Sequence, residues 1–454
     1  MKQIPKGYKH TALGILPQDW EVVRLGDIGI FLKGSGISKE NLSDSGIACI
    51  RYGELYTTYK EVINYVYCKT DIPIQGLVLS KKNDILIPTS GETAIDIATA
   101  SCILLDGVAI GGDTNIVRTE QNGIYLAYCL NNMMKNRIAS LAQGATVIHL
   151  YANHLKTLEI PLPPIKEQEK IAQILNTWDS YIDNLEKLIE AKQRYKKGLM
   201  QRLLTPPQEF CHSEGSEVTE ESKNIYIKVI KDSSFAMQIQ NDGDISPTAQ
   251  YDKGNTQYEK GGKRQPYGDI QPLRFKEFSG TWQEVKLGDI AKIYQSKTIQ
   301  QSDFCDDGFL VYGANGVIGK YHLYNHELEQ VIIACRGNSC GAVNFTKPKS
   351  WITGNAMVIN FDNFSNIVKK FMYFLFMNTD FSYLISGSGQ PQITSQIKNH
   401  IVNLPTLQEQ EKIARVLSLC DEEIQTLKKM LESRKKQKRG LMQNLLNGKV
   451  RVKV

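Results

Sequence analysis

Apolar residues stand at Ile171, Leu175, Trp178, Ile182, Leu185 and Ile189, in alternating steps of four and three. The same steps recur at Ile413, Leu417, Cys420, Ile424, Leu427 and Leu431. Such a heptad seam puts one narrow stripe on a helix that packs along another helix. Pro163-Pro164 and Pro405 mark the starts, and Glu167 with Glu169, or Glu409 with Glu411, sets acid in the first turn against the helix dipole. The first helix is expected over 165–204, a rod of about 60 Å at ~1.5 Å per residue.

The two helices are copies. Leu162 to Leu204 aligns without a gap to Leu404 to Leu446 at a constant offset of 242, with about half the paired positions identical. The likeness extends to Trp20 through Ile28 against Trp282 through Ile290, here at an offset of 262, and to Gly112–Val117 against Gly354–Ile359 at 242. Between each Trp and its helix lie short apolar runs broken by Gly, Asn and Asp, such as Asn83–Ile87 and Gln330–Ala334, which read as strands. The chain therefore reads as α+β: globule, helix, insert, globule, helix. An antiparallel pairing of the rods would give an internal pseudo-twofold axis, with one globule at each end. The changing offset makes the second globule shorter and places the differences in loops, as expected of one scaffold with two recognition surfaces.

The stretch 205–271 belongs to neither copy. It opens on Thr205-Pro206-Pro207, passes through an acidic, Ser-rich run at 214–222, and holds one isolated apolar segment, Ile225–Ile230. Its composition is that of a poorly ordered linker.

A net charge of +6 permits contact with nucleic acid without demanding it. Basic runs at Lys192–Lys197 and Arg434–Arg439 fall late on each helix, where the dipole favours cations. They interrupt the seam at Lys192, Lys196, Arg434 and Lys438, an arrangement that a further helical partner or DNA lying along the rod would use. Gly198 and Gly440 sit mid-helix at about 1 kcal/mol each relative to Ala, which suggests close packing there, against this chain or another subunit.

Nine cysteines (Cys49, Cys68, Cys102, Cys129, Cys211, Cys305, Cys335, Cys340 and Cys420) form no Cys-x-x-Cys pair, so buried reduced thiols are expected and a zinc site has no spacing to support it. The first ten residues lack the apolar core of a signal peptide, and the longest apolar run, Phe371 to Met377, is too short for a bilayer. A soluble protein of the cytoplasm is expected.

Catalytic patterns fail one after another. Ala314–Tyr321 brushes against the phosphate-loop pattern, but Tyr321 stands where a Ser or Thr must hold Mg²⁺; it reads as a turn. His322 and His326 have no third ligand at hand and read as surface histidines. The Gly-rich stretches Lys33–Gly36, Ile110–Gly112 and Ser386–Gly389 read as hairpin turns or close-approach points rather than phosphate cradles.

Three features together resemble the DNA specificity (S) subunits of type I restriction–modification systems. They are the Pro-x-x-x-Glu-Gln-Glu-Lys-Ile-Ala opening at Pro163 and Pro405, the Gly-Leu-Met-Gln-x-Leu-Leu ending at Gly198 and Gly440, and the Trp20 and Trp282 segments running into Leu-Gly-Asp-Ile. The resemblance implies target recognition domains over 1–158 and 272–400, spacer helices over 159–204 and 401–454, and the linker between. It implies a non-catalytic subunit that reads a bipartite, asymmetric site in double-stranded DNA. Methyltransferase (modification) subunits, two of them, and restriction subunits would be its partners. S-adenosylmethionine, ATP and Mg would be used by those partners, with no cofactor or metal on this chain. The departure from the family is the long insert after Leu204.

Direct base readout needs polar side chains presented on loops. By type and position, Lys33, Ser35, Arg51, Tyr52, Thr89, Ser90, Asn315, Arg336, Asn338 and Gln390 are the candidates. Helix or subunit packing is expected of Trp178, Ile182, Leu185, Ile189, Gly198, Leu199, Leu203, Ile424, Leu427, Leu431, Gly440, Leu441 and Leu445. Two rival readings are a self-sufficient DNA methyltransferase or nuclease, and a helical scaffold that never touches DNA.

Overall fold

A computed structural model describes residues 4–144, 146–207, 272–387 and 391–453. The chain divides into two compact units of mixed helix and strand: Met1–Lys187 with Lys429–Val454, and Leu188–Lys428. The isolated segment 225–230, most of the insert, Gln390 and Cys211 lie outside the described residues.

In the first unit, β1 (Glu21–Arg24), β2 (Gly29–Lys33), β3 (Val62–Ile63), β4 (Ile85–Pro88), β5 (Ser90–Gly91), β6 (Ser101–Ile103) and β7 (Thr114–Thr119) precede helix α1 (Gly123–Asn132). Then come β8 (Ile148–His149), α2 (Ala152–Lys156), β9 (Glu159–Leu162) and the long helix α3 (Ile165–Leu203). The main sheet has the order β2-β7-β4-β6-β3, antiparallel except for the β6–β3 edge. Strand β4 is buried along its whole length. Its Ile85 and Ile87 enter a core with Trp20, Tyr125, Tyr128, Ile171, Leu175, Leu445 and Leu446, while Leu86 faces Ile103 and Ile116 on the other side. Both faces are covered, so the strand reads as a continuous apolar run instead of alternating.

The second unit follows the same plan. It has β10 (Gln283–Lys286), β11 (Lys292–Gln295), β12 (Phe309–Gly313), β13 (Gly316–Tyr321), β14 (Val331–Ala334), β15 (Val343–Phe345) and β16 (Ala356–Asn360). Helix α4 (Lys369–Met377), β17 (Ile385–Ser386), β18 (Gln392–Ile393), β19 (Ile401–Leu404) and helix α5 (Leu407–Leu446) complete it. Its main sheet runs β11-β16-β14-β15. Val331 and Ile333 of β14 enter a core with Trp282, Phe371, Phe374, Ile413, Leu417, Leu203 and Leu204, and Ile332 faces Val358 on the opposite side. The apolar run 371–377 is thus a core helix. Equivalent bonds recur: Leu25 N–H donates to Leu158 O, and Leu287 N–H to His400 O, both at 2.9 Å.

Each long helix begins in one unit's core and ends in the other's. Helix α3 places Ile171 and Leu175 in the first and Leu203 and Leu204 in the second; α5 places Ile413 and Leu417 in the second and Leu445 and Leu446 in the first. Pro206-Pro207 follows the end of α3, where a missing N–H stops the ladder. Helix α5 stops at Gly448, whose φ of +68° is the left-handed cap that favours glycine.

His322 is exposed as expected, but His326 is buried, which corrects the surface reading. Its Nδ1 faces Asn325 Oδ1 at 2.6 Å and its Nε2 faces the Tyr294 hydroxyl at 2.9 Å. Ala314-Asn315 is the tip of the β12–β13 hairpin. Burial pushes the Cys102 and Cys129 thiols up to about 12, far from the thiolate form. Among the described residues, no cysteine is disulfide-bonded, no group of three His, Cys, Asp or Glu could hold a metal ion, and no helix is long and apolar enough to cross a membrane.

Candidate nucleic-acid interface

In the first unit the sheet topology gathers four separate segments at one end. Strand β2 delivers Lys33, β4 and β5 deliver Thr89 and Ser90, β7 delivers Asn115, and β8 with the start of α2 delivers His149 and Tyr151. Together with Asp113 and Lys156 they line a cleft of about 440 Å³. Backbone bonds fix its walls: Thr89 N–H donates to Asp113 O and Leu150 N–H donates to Thr89 O, both at 2.8 Å. Ser90 Oγ lies 3.2 Å from His149 Nδ1, and Asn115 Nδ2 donates to Leu150 O at 3.3 Å. Lys33 and Tyr151 are exposed at the rim, with the Tyr151 ring stacked 6.1 Å from His149. Two lysines beside polar side chains and an exposed ring, with the Lys156 ammonium over the Phe31 ring, suit a nucleic-acid edge and its phosphates.

Gly34 holds Lys33 in place. A Cβ there would stand 2.0 Å from Gly111 O, so only glycine lets the backbone cross at that point. Ser35 pairs with Gly111 across the crossing, and its Oγ accepts from Val78 N at 3.0 Å, so its hydroxyl is engaged in holding the loop.

The structure brings Lys33, Thr89 and Ser90 together but sets Arg51 and Tyr52 apart, in a second cleft with Lys39 and Thr57. Arg51 is held there by Glu54, Nη2 to Oε1 at 2.9 Å. In the second unit Asn315 is exposed on its hairpin, and Arg336 and Asn338 are exposed on the turn after β14.

The second unit repeats the cleft's framework with other side chains. Cys335 N–H donates to Asn355 O at 3.2 Å and Ile393 N–H donates to Cys335 O at 3.1 Å, the bonds that Thr89 makes in the first unit. Arg336 bridges to Gln392 as Ser90 pairs with His149, and Gln392 pairs with Ser386 as His149 bridges to Gln143. Gln295 ends β11 opposite Met357 where Lys33 ends β2 opposite Asn115. His149, Tyr151, Lys156, Gln295 and Gln392 were missed from sequence, because nothing local marks them. The usable signal was the reverse of the repeat: positions that change chemistry while their neighbours keep register.

The paired helices carry a different chemistry. Of the positions expected to pack, Ile182, Leu185, Ile189, Leu199, Leu203, Ile424, Leu427 and Leu445 are buried, and Trp178, Leu431 and Leu441 are half-buried. Gly198 and Gly440 are not close-approach points among the described residues, since a Cβ at either would meet nothing within 4 Å. The lysines that interrupt the seam, and their neighbour Lys435, meet carboxylates of the facing helix. Lys192 reaches Glu423 at 2.8 Å and Lys196 reaches Asp421 at 2.6 Å in the second unit. In the first, Lys435 reaches Glu186 at 2.7 Å and Lys438 pairs with Asp179, which also accepts from the Tyr128 hydroxyl. Lys196–Asp421 and Lys438–Asp179 are the same pair at offset 242. Of the two uses expected of this arrangement, a helical partner or DNA along the rod, these lysines meet the first, pairing with carboxylates of the facing helix.

The Glu-Gln-Glu motif at each helix start proves to be a clamp as well as a dipole partner. Buried Glu167 accepts from the Trp20 indole at 3.0 Å and from Arg451 Nε and Nη2, both at 2.8 Å. Arg451 also grips Asp19 and holds its carboxyl below the usual range. In the second unit Arg274 grips buried Glu409 through Nε and Nη2, both at 2.9 Å. The intervening Gln168 Oε1 accepts from Asn122 N at 3.1 Å, just before α1, and Gln410 Oε1 accepts from Val368 N at 3.0 Å, just before α4. Each motif thus fastens a long helix to the globular part of its own unit.

Comparison with known proteins agrees on one family. Residues 17–193 and 279–433 match the type I restriction modification DNA specificity domain. The MjaVIII specificity subunit of a type I restriction enzyme from Methanocaldococcus jannaschii is 24% identical over 96% of this chain and 94% of its own length. The putative MjaX specificity subunit of the same organism is 25% identical over 99% and 97%. In fold, the chain is similar to the S subunit of a type I restriction-modification system from M. genitalium, with a TM-score of 0.57 at 18% identity over 94% of this chain and 96% of that one.

Proposed function

The chain belongs to the type I restriction modification DNA specificity family, and we propose that each of its two units reads one half of a split, asymmetric site in duplex DNA. The observation that carries this reading is the doubled framework of backbone bonds around Thr89 and Cys335, which carries unlike side chains in the two units. Unlike readers imply unlike half-sites, hence a non-palindromic target.

In this reading α3 and α5 form an antiparallel coiled coil with pseudo-twofold symmetry. It sets the gap between half-sites and docks two methyltransferase subunits, with restriction subunits joining that assembly. The reciprocal lysine–carboxylate pairs support the pairing of the helices. The open space around Gly198 and Gly440 leaves room for another subunit's side chains. The chain itself is non-catalytic. S-adenosylmethionine would be used by the methyltransferase subunits, and ATP with Mg by the restriction subunits.

Two measurements test this. Affinity for duplex DNA should fall steeply with ionic strength, because each phosphate contact releases a counterion; binding insensitive to salt would favour a pure scaffold. The purified chain incubated alone with duplex DNA and S-adenosylmethionine, or with Mg and ATP, should give no methylation or cleavage; turnover would favour the enzymatic rival.

A further inference from the structure

Ser90 and Arg336 occupy one position of the shared framework. Each follows the residue whose carbonyl accepts from the strand across the cleft, and each faces the partner residue of that strand, His149 or Gln392. Their chemistry differs sharply. Ser90 is buried, and its hydroxyl meets the His149 ring at 3.2 Å, so the pair closes on itself. Arg336 is exposed and, among the described residues, makes no ion pair.

The backbone under Arg336 is held on both sides. Cys335 before it is buried, with N–H and C=O both engaged and its thiol accepting from Gln295 Nε2 at 3.2 Å. Gly337 after it adopts φ +77° and donates to Pro391 O at 3.1 Å. An arginine kept on a fixed backbone, without an internal carboxylate, is preorganised for a planar acceptor pair from outside. Among DNA edges that pair is O6 and N7 of guanine in the major groove.

We propose that Arg336 reads a guanine in the half-site of the second unit, while the first unit, with Ser90 at the same position, does not read guanine from there. This rests on the reading of the chain as a DNA specificity subunit. Gln392 pairs with Arg336 across the strands and Gln295 ends the neighbouring strand, where the first unit has His149 and Lys33.

The test uses the full chain assembled with its methyltransferase subunits and a randomised duplex library, with methylated molecules sequenced. The expected wild-type motif carries a fixed guanine in one half. Arg336→Gln should relax that base alone, by roughly ten- to a hundredfold in selectivity, and leave the other half unchanged. His149→Ala is the control and should alter only the opposite half. A split motif that keeps its guanine in Arg336→Gln overturns the assignment and leaves the specificity-subunit reading standing. Uniformly weaker methylation with unchanged base preference also overturns it, since that is the signature of a phosphate contact. A wild-type complex with no split motif overturns both.

Discussion

Arg451 reaches back to Glu167 with two charge-assisted hydrogen bonds of 2.8 Å, joining the end of the chain to the first turn of a helix that starts 286 residues earlier, at Ile165. Arg274 does the same to Glu409. Both arginines follow the end of one long helix in sequence and clamp the start of the other. Both glutamates are almost fully buried, so each would be a costly unpaired charge without its arginine.

Arg451→Ala should therefore destabilise the first unit by about 1–3 kcal/mol, the cost of leaving a charged acceptor short of its partner. Adding Glu167→Gln should recover part of that loss, because the uncompensated charge goes with it. Denaturant unfolding of the single and double variants checks the coupling.

The two tryptophans should respond differently to the same substitution. The Trp20 indole donates to Glu167, whereas the buried Trp282 indole has no hydrogen-bond partner among the described residues. Trp20→Phe should cost about 1.5–3 kcal/mol more than Trp282→Phe, the value of a hydrogen bond to a charged group. Equal losses would show that the Trp20 bond contributes nothing.

The helix lysines and the cleft lysine should separate in a salt titration of DNA binding. Lys435 faces Glu186, whereas Lys33 has no carboxylate partner among the described residues. Lys33→Ala should lower the slope of log affinity against log salt by about 0.9, the share of one phosphate. Lys435→Gln should leave the slope unchanged.

Acid should loosen the second unit through His326. Asn325 Oδ1 already accepts from Ile352 N, so it takes the His326 Nδ1 proton, and Nε2 accepts from Tyr294 in a satisfied neutral ring. Burial lowers the His326 pKa from 6.5, with Asp362 opposing. A depressed folded pKa means that the unfolded chain binds the proton first, so stability is full above 6.5 and is lost as pH falls through the folded value. Unfolding midpoints measured against pH should show a larger loss in the wild type than in His326→Phe, which keeps His400, whose pKa burial also lowers.

Much of the fold could be read because period and repeat agree. The seam from Ile171 to Ile189 and its copy from Ile413 to Leu431 placed helices that occupy Ile165–Leu203 and Leu407–Leu446. The cleft was only partly legible. Lys33, Thr89 and Ser90 stood out by type beside glycines and strand ends, but His149 and Tyr151 reach them through strand pairing across about sixty residues, a non-local fact. The role of Lys196 was hidden for the same reason: a lysine in a seam reads as an interruption until Asp421 is opposite it. Gly198 and Gly440 misled because a repeated glycine suggests close contact, while the space beside each is open among the described residues.

The central claim is that two unlike sets of side chains on one framework read two unlike half-sites. Mapping methylated bases across the genome of a host that carries the whole system tests it most directly. The account expects a single non-palindromic motif in two parts separated by a constant number of unspecified bases. One uninterrupted motif, or two identical half-sites, would contradict it.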